Sequence, residues 1–97
     1  MLKVKTGVTP KNLIIAAAAA NVAQELGIEL TITSGTDGVH KPQSRHYNGE
    51  ALDFRVRNLK HGVAGQVITS LTRRLGQHYQ VIYETHPPHI HVEYDPA

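Results

Sequence analysis

The sequence predicts an α+β fold, a small and largely antiparallel sheet of about four strands packed with two helices. Three observations predict it. Ile14, Ala18, Val22 and Leu26, and again Val63, Val67, Leu71 and Leu75, recur at helical spacing. Segments at 28–33 and 51–57 alternate apolar and polar residues, as half-buried strands do. Two further short strand segments close the chain. Helices gathered on one side of an antiparallel sheet are the packing that buries both kinds of apolar face. A chain of 97 residues fits one compact domain, 1–97, and not two.

In order along the chain, Thr9-Pro10 reads as a helix start, with threonine capping and proline at the first helical position. Ala16 to Ala20 are strong helix formers whose small side chains let another element approach closely. Gly27 supplies the stop. Ile28, Leu30 and Ile32 then alternate with Glu29, Thr31 and Thr33 in a strand. Residues 34–50, rich in glycine and polar groups, read as a long loop, and a loop of that length in a small domain is usually functional. Leu52, Phe54 and Val56 form the core face of the next strand, leaving Asp53, Arg55 and Arg57 on the other. The second helix closes near Gly76. Gln80–Glu84 and Ile90–Tyr94 make the last two strands, joined through Thr85-His86-Pro87-Pro88.

Composition excludes several classes. Apolar residues make up 40% and charged residues 19%, the balance of a folded soluble domain and not of a disordered one. The net charge of +2 is small and its basic residues scattered, so no nucleic-acid partner is expected. The apolar run 13–20 is too short to span a bilayer, and no signal peptide is visible. The expectation is therefore a monomer, cytoplasmic as synthesised, with no membrane partner. Cysteine is absent, which rules out a disulfide framework and a thiolate metal site. Any metal must be held by nitrogen and oxygen.

Histidine provides the strongest functional signal. Three of the seven histidines fall within six positions, at 86, 89 and 91. On a strand, His89 and His91 share one face while Ile90 and Val92 point into the core. Upstream lie His46 and Asp53, with Asn48-Gly49 and Ala51 between them as small or turning residues. Imidazole and carboxylate are the side chains that hold zinc while leaving a position open for water. Taken singly, each piece has an ordinary reading: a surface loop histidine, a salt bridge from Asp53 to Arg55, or a pH-responsive histidine patch. Together they supply three ligands and spare histidines, the inventory of a catalytic zinc site.

Thr33-Ser34-Gly35, Ser44-Arg45-His46-Tyr47-Asn48-Gly49-Glu50-Ala51-Leu52-Asp53 and His86-x2-His89-x-His91 resemble the zinc D-alanyl-D-alanine carboxypeptidase and peptidoglycan endopeptidase family of the hedgehog/DD-peptidase superfamily. The match runs from about Thr33 to Glu93, and the pairing of the two blocks is more specific than either alone. The resemblance implies Zn2+ on His46, Asp53 and His91. It implies His89 as the catalytic histidine and His86 as a further active-site histidine. Many members carry a glutamate three residues before the last ligand, where this chain has Pro88. The general base then falls to His89, with Glu84 the more distant candidate. An arginine that often follows the Ser-Gly pair and contacts substrate is Thr36 here, so His40, Arg45 or Arg55 would take its anionic contact. Ser44 joins His40 and Arg55 as an expected substrate-binding residue. Compactness and the missing export signal resemble phage-encoded members, which reach the cell wall after lysis begins.

The function this implies is metal-assisted hydrolysis of a peptide bond in peptidoglycan stem peptides, by a carboxypeptidase or an endopeptidase. A non-enzymatic zinc-stabilised binding domain, with His40 or His89 closing the coordination sphere, is the alternative. A histidine–metal nuclease ranks last, since the sequence offers no nucleic-acid surface.

Overall fold

A computed structural model describes residues 1–5, 7–34 and 50–96, with residue 34 described by its backbone. The elements in chain order are β1 (Leu2–Val4), α1 (Leu13–Leu26), β2 (Leu30–Ser34), β3 (Ala51–Arg55), α2 (Val63–Leu75), β4 (Tyr79–Thr85) and β5 (Pro88–Tyr94). The class is α+β. The five strands form one mixed sheet in the order β1-β2-β3-β5-β4. β1 runs parallel to β2, while β2–β3, β3–β5 and β5–β4 are antiparallel.

The fifth strand is a correction to the expected four. β1 is three residues long, too short to display alternation, and a lysine occupies its centre. Tertiary pairing stabilises it instead: Leu2, Lys3 and Val4 lie against Leu30, Thr31 and Ile32. The N-terminal ammonium of Met1 donates to the Ile28 carbonyl, and the Leu30 N–H donates to the Met1 carbonyl at 2.9 Å.

α1 starts at Leu13, three residues beyond the position that Thr9-Pro10 suggested. Those residues form a turn of their own. Thr9 N–H donates to Asn12 Oδ1 at 2.8 Å, and Asn12 N–H donates to the Thr9 carbonyl at 3.2 Å. Asn12 is fully buried, and its amide donates to the Gly7 carbonyl at 2.9 Å and to the Ala51 carbonyl at 3.2 Å. One side chain thereby ties the entrance of α1 to the start of β3. At the other end Gly27 takes φ 64° and ψ 38°, a left-handed conformation that costs glycine little, and its N–H reaches the Ala23 and Gln24 carbonyls.

The buried face of α1 also differs from the expected stripe. Ile15, Ala18, Ala19, Val22 and Ala23 are buried, whereas Ile14 is 62% exposed. Steps of four residues advance 400° around a helix with 3.6 residues per turn, so a strict every-four line drifts off any flat neighbour. Alternating steps of three and four stay on it. α2 keeps its expected face, with Val67 and Leu71 fully buried. The helices are clipped together where Glu25 Oε1 accepts from Arg74 Nη2 at 2.8 Å and from Ser70 Oγ at 3.1 Å. The Arg74 hydrogen bond is the main reason the Glu25 carboxyl titrates below its usual value.

Leu30, Ile32, Leu52, Phe54, Ile90 and Val92 form the sheet's contribution to the core, packed with Ile15, Val22, Val67 and Leu71. All are essentially inaccessible to water. Among the described residues no helix is long and apolar enough to cross a membrane. Because strand side chains alternate, burying Leu52, Phe54, Ile90 and Val92 commits Asp53, His89 and His91 to the opposite face.

Candidate metal centre

The expected site is built on β3 and β5, neighbours in the middle of the sheet. Their register sets Asp53 opposite His91 and Arg55 opposite His89. On the other side of β5, β4 sets Ile82 opposite His91 and Glu84 opposite His89. Cross-strand partners share a face, so one patch of sheet gathers Asp53, Arg55, Glu84, His89 and His91. Glu93 joins them, two residues beyond His91 on the same strand.

His91 lies between two carboxylates. Its Nδ1 is 3.0 Å from Asp53 Oδ1 and its Nε2 is 2.7 Å from Glu93 Oε1. Only 9% of the residue is exposed. Burial pulls the pKa of the imidazole down, but its hydrogen bonds to the Asp53 and Glu93 carboxylates, with their negative charges, outweigh it and hold the value at about 9. In the metal-free protein both ring nitrogens donate to carboxylates.

His89 has a different surrounding. Its Nδ1 is 2.6 Å from the Pro87 carbonyl and its Nε2 is 2.9 Å from Glu84 Oε1. The same Nε2 stands 3.8 Å from Asp53 Oδ1. Two acceptors on opposite edges fix the ring plane, one from the hairpin turn and one from β4. The two histidines thus converge on a single aspartate oxygen.

The donor chemistry fits zinc. Two donors of one tetrahedral ion, each bonded at about 2.0–2.1 Å, stand roughly 3.3 Å apart. The Nδ1 of His91 and Oδ1 of Asp53 are already at 3.0 Å. Among the described residues, however, no group of three or more histidine, aspartate or glutamate side chains has the arrangement of a metal site. His46, the third expected ligand, lies outside the described residues, as do Ser44, His40 and Arg45.

His86 is exposed in the turn between β4 and β5, at a cis His86–Pro87 peptide, and its Nδ1 is 2.8 Å from Thr85 Oγ1. Its described hydrogen bond therefore points to the hairpin end and not to Asp53 or His91. Arg55 is partly exposed and neighbours both Asp53 and His89 through the sheet. Glu84, the more distant candidate for the general base, is hydrogen-bonded to His89. Glu93 is absent from the expected site, although a carboxylate two positions after His91 on an alternating strand must share its face. No family model and no curated protein sequence matches the chain.

Proposed function

We propose that this chain is a zinc-dependent peptidase that hydrolyses a peptide bond in peptidoglycan stem peptides, with a hedgehog/DD-peptidase-like fold. One observation carries the reading. Asp53 and His91, 38 residues apart in sequence, meet at 3.0 Å on adjacent strands, with His89 turned toward the same carboxylate. His46, Asp53 and His91 are the proposed ligands of Zn2+. When bound, zinc supplies Lewis acidity and lowers the pKa of a coordinated water from about 15.7 toward 7.

The chain's own residues do the rest. His89 is held at the site's edge by its Nδ1–H on the Pro87 carbonyl, and its deprotonated Nε2, turned from Glu84, would accept a proton from water and return it to the leaving amine. Its immobilised ring spares the reaction the cost of orienting a base. His86 is proposed to act on substrate from the hairpin end. Arg55, on the sheet face next to Asp53 and His89, is suited to a substrate carboxylate, together with Ser44 and His40 from the 34–50 segment. An anionic substrate end agrees with the small positive charge of the chain.

Mass spectrometry of purified peptidoglycan tests the proposal. Metal-loaded protein is expected to release or shorten stem peptides, and a chelated control is not. Equal products in both arms, or none in either, would contradict it.

The alternative of a zinc-stabilised binding domain draws on the 3.8 Å separation of His89 Nε2 from Asp53 Oδ1. A small shift would let His89 complete a closed, all-protein coordination sphere, which is the structural kind of zinc site. Four protein ligands by X-ray absorption would favour that reading, and three with a water would favour the peptidase.

A further inference from the structure

We infer that Glu93 is the positioning residue of the metal centre, fixing the Nε2 edge of His91 so that Nδ1 is presented beside Asp53. The inference rests on the zinc reading above. It adds a residue that neither the sequence motif nor the expected ligand set contains.

The geometry separates the two edges of the His91 ring. Nδ1 faces Asp53 Oδ1 at 3.0 Å, so an ion shared with Asp53 takes Nδ1. Nε2 then keeps its hydrogen and needs an acceptor, and Glu93 Oε1 supplies one at 2.7 Å. Metal-binding histidines usually donate their second N–H to such a partner, which fixes tautomer and ring orientation and makes the ligand more basic. His91 is nearly buried, so water is a poor substitute for that acceptor.

Glu93 is also well placed to hold still. It lies within β5, paired with Ala51 of β3 on one side and Gln80 of β4 on the other. Its side chain is 23% exposed, against 49% for Glu84. A carboxylate on a central strand, partly shielded from solvent, is a firmer orienting group than one on the edge strand. Glu93 acts through His91 and has no direct part in the chemistry.

The test uses the full chain and Zn2+, with affinity measured by competition against a colorimetric chelator. E93A is expected to weaken zinc binding by roughly 10–100-fold. E93Q, whose amide oxygen still accepts from Nε2, is expected to keep most of the affinity. Nitrogen-15 NMR of the zinc-loaded wild type should show His91 protonated at Nε2 and metal-bound at Nδ1. This readout needs no variant, so it stands even if E93A does not fold. Wild-type affinity in folded E93A, or a His91 bound to zinc through Nε2, overturns the role of Glu93 while leaving the zinc site intact. A wild-type chain that takes up no zinc overturns the zinc reading itself, and the inference with it.

Discussion

His91 faces Asp53 across the paired strands β5 and β3, its Nδ1 3.0 Å from the carboxylate, and a second carboxylate, Glu93, occupies the other edge of the same ring. Most of the behaviour expected of this protein follows from that arrangement. A buried imidazole with acidic neighbours on both sides binds a cation, either a proton or a metal.

The first prediction separates ligand from base. Asp53→Ala and His91→Ala should each remove zinc from the protein, as metal analysis after gel filtration would report. His89→Ala should keep its zinc and lose turnover by roughly 10²–10⁴-fold, the usual worth of general acid–base help. Loss of metal from His89→Ala with retention in His91→Ala would reverse the ligand assignment.

The second concerns pH in the metal-free protein. The folded pKa of His91, about 9, lies above its ordinary value of 6.5. A raised pKa means that the folded state binds the proton more tightly than the unfolded chain. Its stabilisation is therefore complete below about 6.5 and is lost as pH rises through about 9. The size is on the order of 3 kcal/mol. Urea denaturation in the presence of chelator, compared near pH 6 and near pH 10, measures it. His91→Gln should flatten that dependence. Zinc at the proposed site would compete with the proton for the same ring, so its affinity should climb over the same interval.

The third addresses the core and the face of α1 that packs on it. Phe54→Ala should cost roughly 3–5 kcal/mol, because the side chain is fully buried at the centre of the core. Ile14→Ala should change stability by no more than about 0.5 kcal/mol. A large loss at Ile14 in chemical denaturation would restore the every-four stripe that the fold rejects.

The fourth addresses the buried asparagine. Asn12→Ala leaves the Ala51 carbonyl without its amide donor and should cost about 1–3 kcal/mol. Because Ala51 begins the strand that carries Asp53, faster amide exchange in 51–53 is expected to accompany the loss.

Much of the fold was legible because apolar spacing is a direct record of which face is buried. Val67 and Leu71 on α2, and Leu52, Phe54, Ile90 and Val92 on the sheet, were read from spacing alone. β1 was not, because three residues carry no period and only pairing with β2 gives them structure. The start of α1 differs from the expected one because Thr9 and Pro10 satisfy the rules of a helix cap while closing a separate turn. At the site, alternation along β5 gave the shared face of His89 and His91. The pairing of Asp53 with His91 depends on strand register, which a single sequence does not encode locally. Glu93 is legible by the same alternation, two positions beyond His91 on one strand, although its hydrogen bond with His91 is a matter of side-chain placement. His46, Ser44 and His40 remain expectations, since they fall outside the described residues.

Anomalous diffraction at the zinc edge from metal-loaded crystals tests the central claim most directly. One ion per chain is expected, bound by Asp53 Oδ1, His91 Nδ1 and His46, with a water completing the shell. An ion seated elsewhere, or a fully loaded crystal in which the Asp53–His91 hydrogen bond persists with no ion between them, would contradict it.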